Sequence, residues 1–543
     1  MDTKIKWWKN ALVYQIYPLS FKDSNGDGIG DLRGIIESLD YLKNYGVDVI
    51  WLSPVYQSPM DDNGYDISDY YEVNPMFGTI DDLMELILKV HQKGMKIIMD
   101  LVVNHTSDEH HWFKEARSSL NNPVRDYYIW SDQPKPEIGS VFSGSAWEFD
   151  QHTNQYYFHL FSRRQPDLNW QNPHLRNEIY RMMNKWLDMG IDGFRMDVIE
   201  LIGKDVSSAR LGDGPYLETY LNEMYESCFK GRDIFTVGEM GGISVKRAQE
   251  LTSQEKLGLN MTFQFSHLGV DQVKGQSKWY IQKPDMFELK QILSENQKIF
   301  MKSGWNSLFL SNHDQPRQVT RFGNDKALYR IRSSQMLFTM LYGQKGTPYV
   351  YQGEEIGMTG IIFNNIDQYK DIETINWYHE AKALGWSNEK IMASIAAKGR
   401  DNSRTPFQWN NTLFAGFSNH QPWLSVNPNY LQINARNEME NPFGIYHYTK
   451  TLFEIRKKYD VFTTGDFTLL YPDDDKTFIY LRENKSHTAL IVTNMTDQEV
   501  VVDLENFKDF KLMLANIDIK LTGKTKLKPY AAAIYLKERK HDN

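Results

Sequence analysis

The stretch "DLMELILKVHQKGMKIIMDLV" (Asp82–Val102) sets two structural periods back to back. Its first part, "DLMELILKVHQKG" (Asp82–Gly94), is apolar at helical spacing and is stopped by glycine. Its second part, "MKIIMDLV" (Met95–Val102), is a short apolar run that reads as a buried strand. A helix delivering its chain into a buried strand is the repeating unit of an α/β fold, and the alternation continues in both directions. Upstream lie "ALVYQIYP" (Ala11–Pro18) and "VDVIWLSP" (Val47–Pro54). Downstream, the helical "NEIYRMMNKWLDMG" (Asn177–Gly190) leads into "IDGFRMDV" (Ile191–Val198). Then come "DIFTVGEM" (Asp233–Met240), "NMTFQF" (Asn260–Phe265), "WNSLFLSN" (Trp305–Asn312) and "TPYVYQGEE" (Thr347–Glu355). Eight strands alternating with helices predict the α/β class and a (β/α)8 barrel.

Two regions break the rhythm. Residues 104–172 are rich in Ser, Asn, Pro and aromatics, with "QYYFHLF" alternating weakly like a hairpin strand. A structureless loop of that length does not suit a compact domain, so a subdomain inserted after the third strand is expected. Near the C-terminus "FTLLYP", "TFIYLRE", "TALIVTN", "EVVVDL" and "AAAIYLK" are short β-rich runs separated by turns, as in an antiparallel β-sandwich. The barrel is thus expected over 1–103 and 173–462, the insertion over 104–172 and the sandwich over 463–543.

The bulk composition narrows the function. At 543 residues the chain exceeds one small core and fits a large domain with smaller companions. Its 41% hydrophobic content is that of a globular protein. A net charge of −9 with no Lys/Arg block argues against a nucleic-acid partner. The single cysteine, Cys228, rules out an intrachain disulfide and fits a reducing compartment. "MDTKIKWWKN" has no apolar signal core, and no run is long enough to span a membrane, so a soluble cytoplasmic monomer is expected. Aromatic usage of 13% supplies flat apolar platforms suited to sugar rings.

Barrel active sites lie at the C-terminal ends of the strands. There this sequence places Asp66, Asp100, His105, Arg195, Asp197, Glu239, His313 and Asp314. Singly, each has an ordinary structural reading as a helix cap, an ion-pair partner or a buried hydrogen-bonding imidazole. Together they converge on one barrel mouth, which suggests either metal binding with the histidines or cleavage of a glycosidic bond. The metal reading wants a His pair on an early strand, and "YQIYP" has none. The glycosidic reading wants one carboxylate ionised and another protonated. Arg195, two residues from Asp197 on the same strand face, would hold Asp197 ionised. Glu239 follows the apolar "FTVG" with no cation beside it in sequence, which suits a raised pKa and an acid role.

Four segments carry a resemblance: "DLVVNH" (Asp100–His105), "GFRMDVI" (Gly193–Ile199), "VGEM" (Val237–Met240) and "SNHDQPR" (Ser311–Arg317). They look like the signature segments of the α-amylase family, glycoside hydrolase family 13, closest to its oligo-1,6-glucosidase, dextran glucosidase and α-glucosidase branch. The likeness extends over nearly the whole chain, including "QPDLNW" and "GRDNSRTPFQW". It implies Asp197 as nucleophile, Glu239 as general acid/base and Asp314 as transition-state stabiliser, with retention and no organic cofactor. The two reacting carboxyls would then stand about 5–5.5 Å apart. His105, His313, Arg195 and Tyr65 would hold the sugar. Asp66 of "GYDI" and Arg404, the second Arg of "RDNSRTP", would close the pocket behind the non-reducing glucose, making the enzyme exo-acting on small oligosaccharides.

Val198, after the nucleophile, is often Val in α-1,6-specific members, which leans the expectation to isomalto-oligosaccharides. Trehalose-6-phosphate hydrolases share that Val and remain a rival, as do α-1,4-glucosidases and sucrases. The glycines of "GEMGG" (Gly238–Gly242) suggest an opened aglycone side. A non-catalytic barrel, as in amino-acid transporter heavy chains, would lack the carboxylates and carry a membrane anchor.

One motif stands apart from this chemistry. "DSNGDGIGDL" opens like a calcium loop, D-x-N-x-D-G, yet carries Gly34 where the bidentate Glu belongs and follows a strand. A calcium sensor is therefore not expected; a turn or a fixed metal is. As in the metal-binding members of the branch, Asp23, Asn25, Asp27, Asp31 and the Ile29 carbonyl would bind a structural Ca²⁺ or Mg²⁺. The rival hydrolases tend to have this loop degenerate.

Overall fold

The computed structural model describes residues 6–134 and 137–539. Residues 1–5 and 540–543, at the outer ends of the expected first and last segments, lie outside the described residues. The opening stretch folds as read. Helix Ile80–Gln92 starts at a capping box between Thr79 and Asp82 and buries Leu83, Leu86, Ile87 and Val90. It feeds strand Lys96–Leu101, buried on both faces beyond its first residue, as a parallel strand covered by helices must be.

The eight strands are β1 (Val13–Ile16), β2 (Val49–Leu52), β3 (Lys96–Leu101), β4 (Gly193–Met196), β5 (Phe235–Glu239), β6 (Met261–Phe263), β7 (Ser307–Leu308) and β8 (Thr347–Tyr351). They pair in parallel in the order β6-β5-β4-β3-β2-β1-β8-β7. A parallel bridge from Thr262 to Asn306 joins the two ends and closes the barrel. Register decides the chemistry above. Asp100 pairs directly with Arg195 across β3 and β4, and Arg195 pairs with Val237 across β4 and β5. The interior is packed with rings: Phe263 lies 5.4 Å from Trp51 and 4.6 Å from Tyr349 between centroids, forming a solid floor under the mouth.

After β3 the chain makes a three-stranded antiparallel sheet from Trp130–Ser131, Gln155–Phe158 and Trp147–Asp150. A buried ammonium fastens this subdomain to the barrel. Lys204 Nζ donates to Asn104 Oδ1 at 2.7 Å and lies 3.0 Å from Asp167 Oδ2. A second excursion, not foreseen from sequence, follows β8: helices Ile372–Ala383 and Asn388–Lys398 pack Trp377 flat on Trp279. The C-terminal sheet runs antiparallel in the order Asp466–Leu470, Thr477–Glu483, His487–Asn494, Ala532–Glu538, Lys511–Ala515, with a separate pair Val500–Val502 and Thr525–Leu527. It docks on helix Arg330–Tyr342, where Tyr480 donates to the Met340 carbonyl. Among the described residues no helix is long and apolar enough to cross a membrane.

Candidate active site

A cavity of about 330 Å³ opens at the C-terminal mouth of the barrel, lined by Asp197, Glu239 and Asp314. A roomier cleft, about 540 Å³, lies at the other end of the strands beside Trp8 and Trp305. Volume does not choose between them; barrel chemistry sits at the C-terminal ends.

The floor of the mouth is organised by one cation. Arg195 Nη1 lies 2.6 Å from both Asp100 Oδ1 and Asp197 Oδ1, and its Nη2 lies 2.6 Å from Glu239 Oε2. All four side chains are buried. The sequence reading gave Arg195 to Asp197 and left Glu239 without a cation. The guanidinium in fact reaches both, because Glu239 stands two residues beyond Val237 on the strand face that Arg195 meets. Burial therefore outweighs Arg195 at Asp197, whose carboxyl is pushed well above the usual range, with Glu239 and Asp100 adding like charge. Asp100 is pushed up to about 6 by burial, against Arg195 and the Trp51 N–H. One guanidinium facing three carboxylates is too little to offset burial at Asp100 and Asp197, and both are biased toward the protonated form. Glu239 Oε2 accepts the Val198 N–H at 3.2 Å as well as facing Arg195.

The closed end has two cations. Arg400 Nη2 bonds Asp62 Oδ1 at 2.8 Å and Asp371 Oδ1 at 2.5 Å, with its guanidinium 4.9 Å from the Phe142 ring centre. Arg404 Nη2 bonds Asp314 Oδ1 at 2.5 Å, and its Nε donates to the His313 carbonyl. Here the cations prevail. Burial would raise Asp314, but His313, cationic only at the low pH where Asp314 titrates, and the permanent cations Arg404 and Arg400 hold it well below the usual carboxylate range. Asp371 is likewise held low against burial, by Arg400 and Arg404.

Two assignments are corrected. Asp66, expected to close the pocket, turns away from it: its carboxylate accepts Asp61 N–H, Asp62 N–H and the Ser58 hydroxyl, holding its own turn. Arg404 sits behind Asp314. The closing pair is Asp62 and Arg400, which both line the cavity. Each motif carries the same residue type four positions apart, Asp62/Asp66 and Arg400/Arg404. Sequence alone does not say which copy faces inward; the turn hydrogen bonds do. The glycines of "GEMGG" do not open the aglycone side either. A Cβ at Gly241 would meet Phe265 at 2.6 Å, and one at Gly242 would meet Glu200 at 3.1 Å, so those side chains already fill the space.

The remaining expected residues are gathered at the mouth. Tyr65 lines the cavity, reaches Asp100 Oδ2 at 3.2 Å and stacks on His313 at 5.2 Å between centroids. His105 faces the Tyr65 carbonyl through Nε2 and the Asn104 amide through Nδ1, and burial lowers it to about 4. His313 receives Gln15 at Nδ1; its Nε2 stands 3.1 Å from Asp314 Oδ2 without hydrogen-bond alignment. Burial lowers it to about 3. Both imidazoles are therefore neutral; His105 lines the cavity, and His313 backs Tyr65 from beneath.

Asp23, Asn25, Asp27, Ile29 and Asp31 lie after β1, away from the cavity. Asp23 Oδ1 accepts Asn25 and Gly26 N–H, while its Oδ2 accepts Gly28 N–H and the Ser418 hydroxyl. Asp31 accepts from Ser24 and caps helix Leu32–Glu37 through Gly34 N–H. Gly28 sits at φ +91°, where a Cβ would strike the Gln421 carbonyl. Hard oxygen donors of this number suit Ca²⁺ or Mg²⁺. As placed, though, the carboxylates serve their own loop, and no three acid, His or Cys side chains converge as a metal cluster among the described residues.

A closed barrel with carboxylates clustered on a guanidinium at its mouth is the arrangement a glycoside-cleaving enzyme needs. The α-amylase catalytic-domain model matches residues 15–465, and the maltogenic amylase C-terminal-domain model matches 467–534. The chain is 49% identical to an oligo-1,6-glucosidase of Halalkalibacterium halodurans over 98% of its length and 99% of the relative's. It is 49% identical to a glucan 1,6-alpha-glucosidase of Streptococcus pneumoniae, covering 92% and 93% of the two chains. The crystal structure of Bacillus licheniformis trehalose-6-phosphate hydrolase superposes with a TM-score of 0.93 at 44% identity, covering 98% of this chain and 100% of that one. The chain belongs to the α-amylase family of glycoside hydrolases.

Proposed function

We propose that the protein is a retaining, exo-acting α-glucosidase that releases glucose from the non-reducing end of short α-1,6-linked oligosaccharides. The observation that carries this reading is Asp197 and Glu239 side by side on one guanidinium, in a pocket ended by Asp62 and Arg400. In the first step Glu239 gives its proton to the glycosidic oxygen while an Asp197 oxygen bonds the anomeric carbon and the aglycone leaves. In the second, Glu239 takes a proton from water, whose oxygen displaces Asp197 and restores the original configuration. Asp314, kept ionised by Arg404, grips sugar hydroxyls; Tyr65 and His313 supply a flat wall beneath the ring. The α-1,6 preference is supported by Val198 at the aglycone wall and by the relatives named for that linkage.

The trehalose-6-phosphate reading is favoured by the structural likeness. It wants a cation for the phosphoryl group, yet Lys278 at the mouth is already bonded to Glu373 at 2.7 Å. A panel of isomaltose, panose, maltose, sucrose, trehalose and trehalose-6-phosphate tests the proposal. Higher kcat/KM for maltose or trehalose-6-phosphate than for isomaltose would refute the linkage.

We further propose that the loop of Asp23, Asn25, Asp27, Ile29 and Asp31 closes on Ca²⁺, or Mg²⁺, as a stabilising clip without catalytic duty. Chelation should lower Tm; a calorimetric titration with no binding and an unchanged Tm count against it. A monomer in the cytoplasm suits the lone Cys228, buried and with its thiol pushed up to about 12 by burial. Light scattering at working concentration checks the monomer.

A further inference from the structure

The loops that follow β4 and β5 hold each other by crossed hydrogen bonds. Val198 N–H donates to Glu239 Oε2 at 3.2 Å, and Gly242 N–H donates back to Glu200 Oε1 at 2.8 Å. Each loop thus gives one backbone donor and one carboxylate to the other. Neither contribution suits its residue. Val198 is β-branched yet sits at φ 36°, ψ 40°, in the left-handed region. Glu200 is 7% exposed, and its Oε2 is buried with no partner. The charged groups that bear on Glu200 are the acids Glu239 and Asp213, so burial and like charge push it up to about 7 against the Gly242 N–H. A buried carboxyl with one oxygen unsatisfied and no cation does not serve stability. Strain of this kind collects where geometry is functional.

We propose that Glu200 is a positioning residue: through Gly242 it fixes the turn that leaves β5 directly after Glu239, and so sets where the acid/base carboxyl stands against Asp197. The inference rests on the glycosidase reading above. Proton delivery to a glycosidic oxygen is sensitive to small displacements of the donor. The niche supports the role, since Gly241 packs on Phe265 and Gly242 on Glu200 with no room for a Cβ to slide the loop.

The test compares leaving groups. Glu200→Met removes the acceptor at similar volume; Glu200→Gln keeps an oxygen for the Gly242 N–H. Each is assayed on isomaltose, whose departing alkoxide needs a proton, and on α-glucosyl fluoride, which needs little protonation. Glu200→Met should lose at least about tenfold more kcat/KM on isomaltose than on the fluoride, mainly in kcat. Glu200→Gln should recover most of that difference. Equal losses on both substrates overturn the proposal, and so does Glu200→Gln behaving like Glu200→Met. The ratio is internal to one preparation, so partial unfolding does not mimic it. Should Glu200→Met not fold, Glu200→Ala removes the acceptor by truncation and should give the same skew. Failure of the unmodified protein on isomaltose would strike the function reading alone; the ratio is then taken on whichever α-glucoside it cleaves.

Discussion

At the floor of the pocket Arg195 alone answers Asp100, Asp197 and Glu239, whereas at the closed end Arg400 and Arg404 answer Asp62, Asp314 and Asp371. Both groups lie largely out of water, Asp314 alone keeping 27% of its side chain exposed, so dehydration presses on each of them to stay neutral. The outcomes differ because the ratio of cations to acids differs. On the floor burial wins, with Asp100 up to about 6 and Asp197 well above its usual range. At the end Asp314 and Asp371 are held low. Asp62 marks the boundary. It shares Arg400 with Asp371, which takes both Nε and Nη2, and burial lifts Asp62 to about 6. The end therefore presents fixed negative charge at Asp314 and Asp371, whereas Asp100 and Asp197 on the floor are biased toward the protonated form.

Breaking the floor should have the largest effect. Asp197→Ala is expected to lower kcat on p-nitrophenyl α-glucoside by on the order of 10⁴-fold or more, with little change in Tm. Retained turnover would place the nucleophile elsewhere. Next comes Arg400→Ala, which strands Asp62 and Asp371 without their cation. It should cost about 3–5 kcal/mol in urea unfolding, as for a buried pair cut on one side. Asp314→Asn keeps the shape but removes the fixed charge, and kcat/KM should fall by about 10²–10³-fold, the size of a lost transition-state contact.

The mildest test is the pH dependence of Tm. Asp314 and Asp371 are depressed when folded, so they contribute stability above about pH 4 and lose it as pH falls below that. Asp100 and Asp62 are raised to about 6. Their contribution is complete below about pH 4 and is lost as pH rises through about 6. Asp371→Asn should flatten the acid fall, and Asp62→Asn the change between about pH 4 and 6. Calorimetry across pH 2–8 reads both, and the same slope in variant and parent would contradict the contrast.

Much of this was legible in the chain. The barrel could be read because each strand is an apolar run bounded by turn residues, even where β7 keeps only Ser307–Leu308 as strand. The reactive residues could be found because strand ends place them. What sequence neighbours do not show is cross-strand register, so Arg195 looked like a partner for Asp197 alone, while Asp100 faces it across β3 and Glu239 reaches it from β5. Helices Ile372–Ala383 and Asn388–Lys398 were missed because they look like further barrel helices, and they bring Asp371 and Glu373 to Arg400. The inward copies, Asp62 and Arg400, are chosen by turn hydrogen bonds that no spacing rule reveals.

Lys204 carries a consequence of another kind. One of the contacts that join the inserted subdomain to the barrel is made by an ion covalently tied to the chain, between Asn104 and Asp167. Such an ion has no off-rate into the medium, and its local concentration is fixed by the backbone. That contact needs no metal ion and is not removed by a chelator. It answers to chemistry on one amine, since neutralising that nitrogen would leave Asp167 buried without its cation.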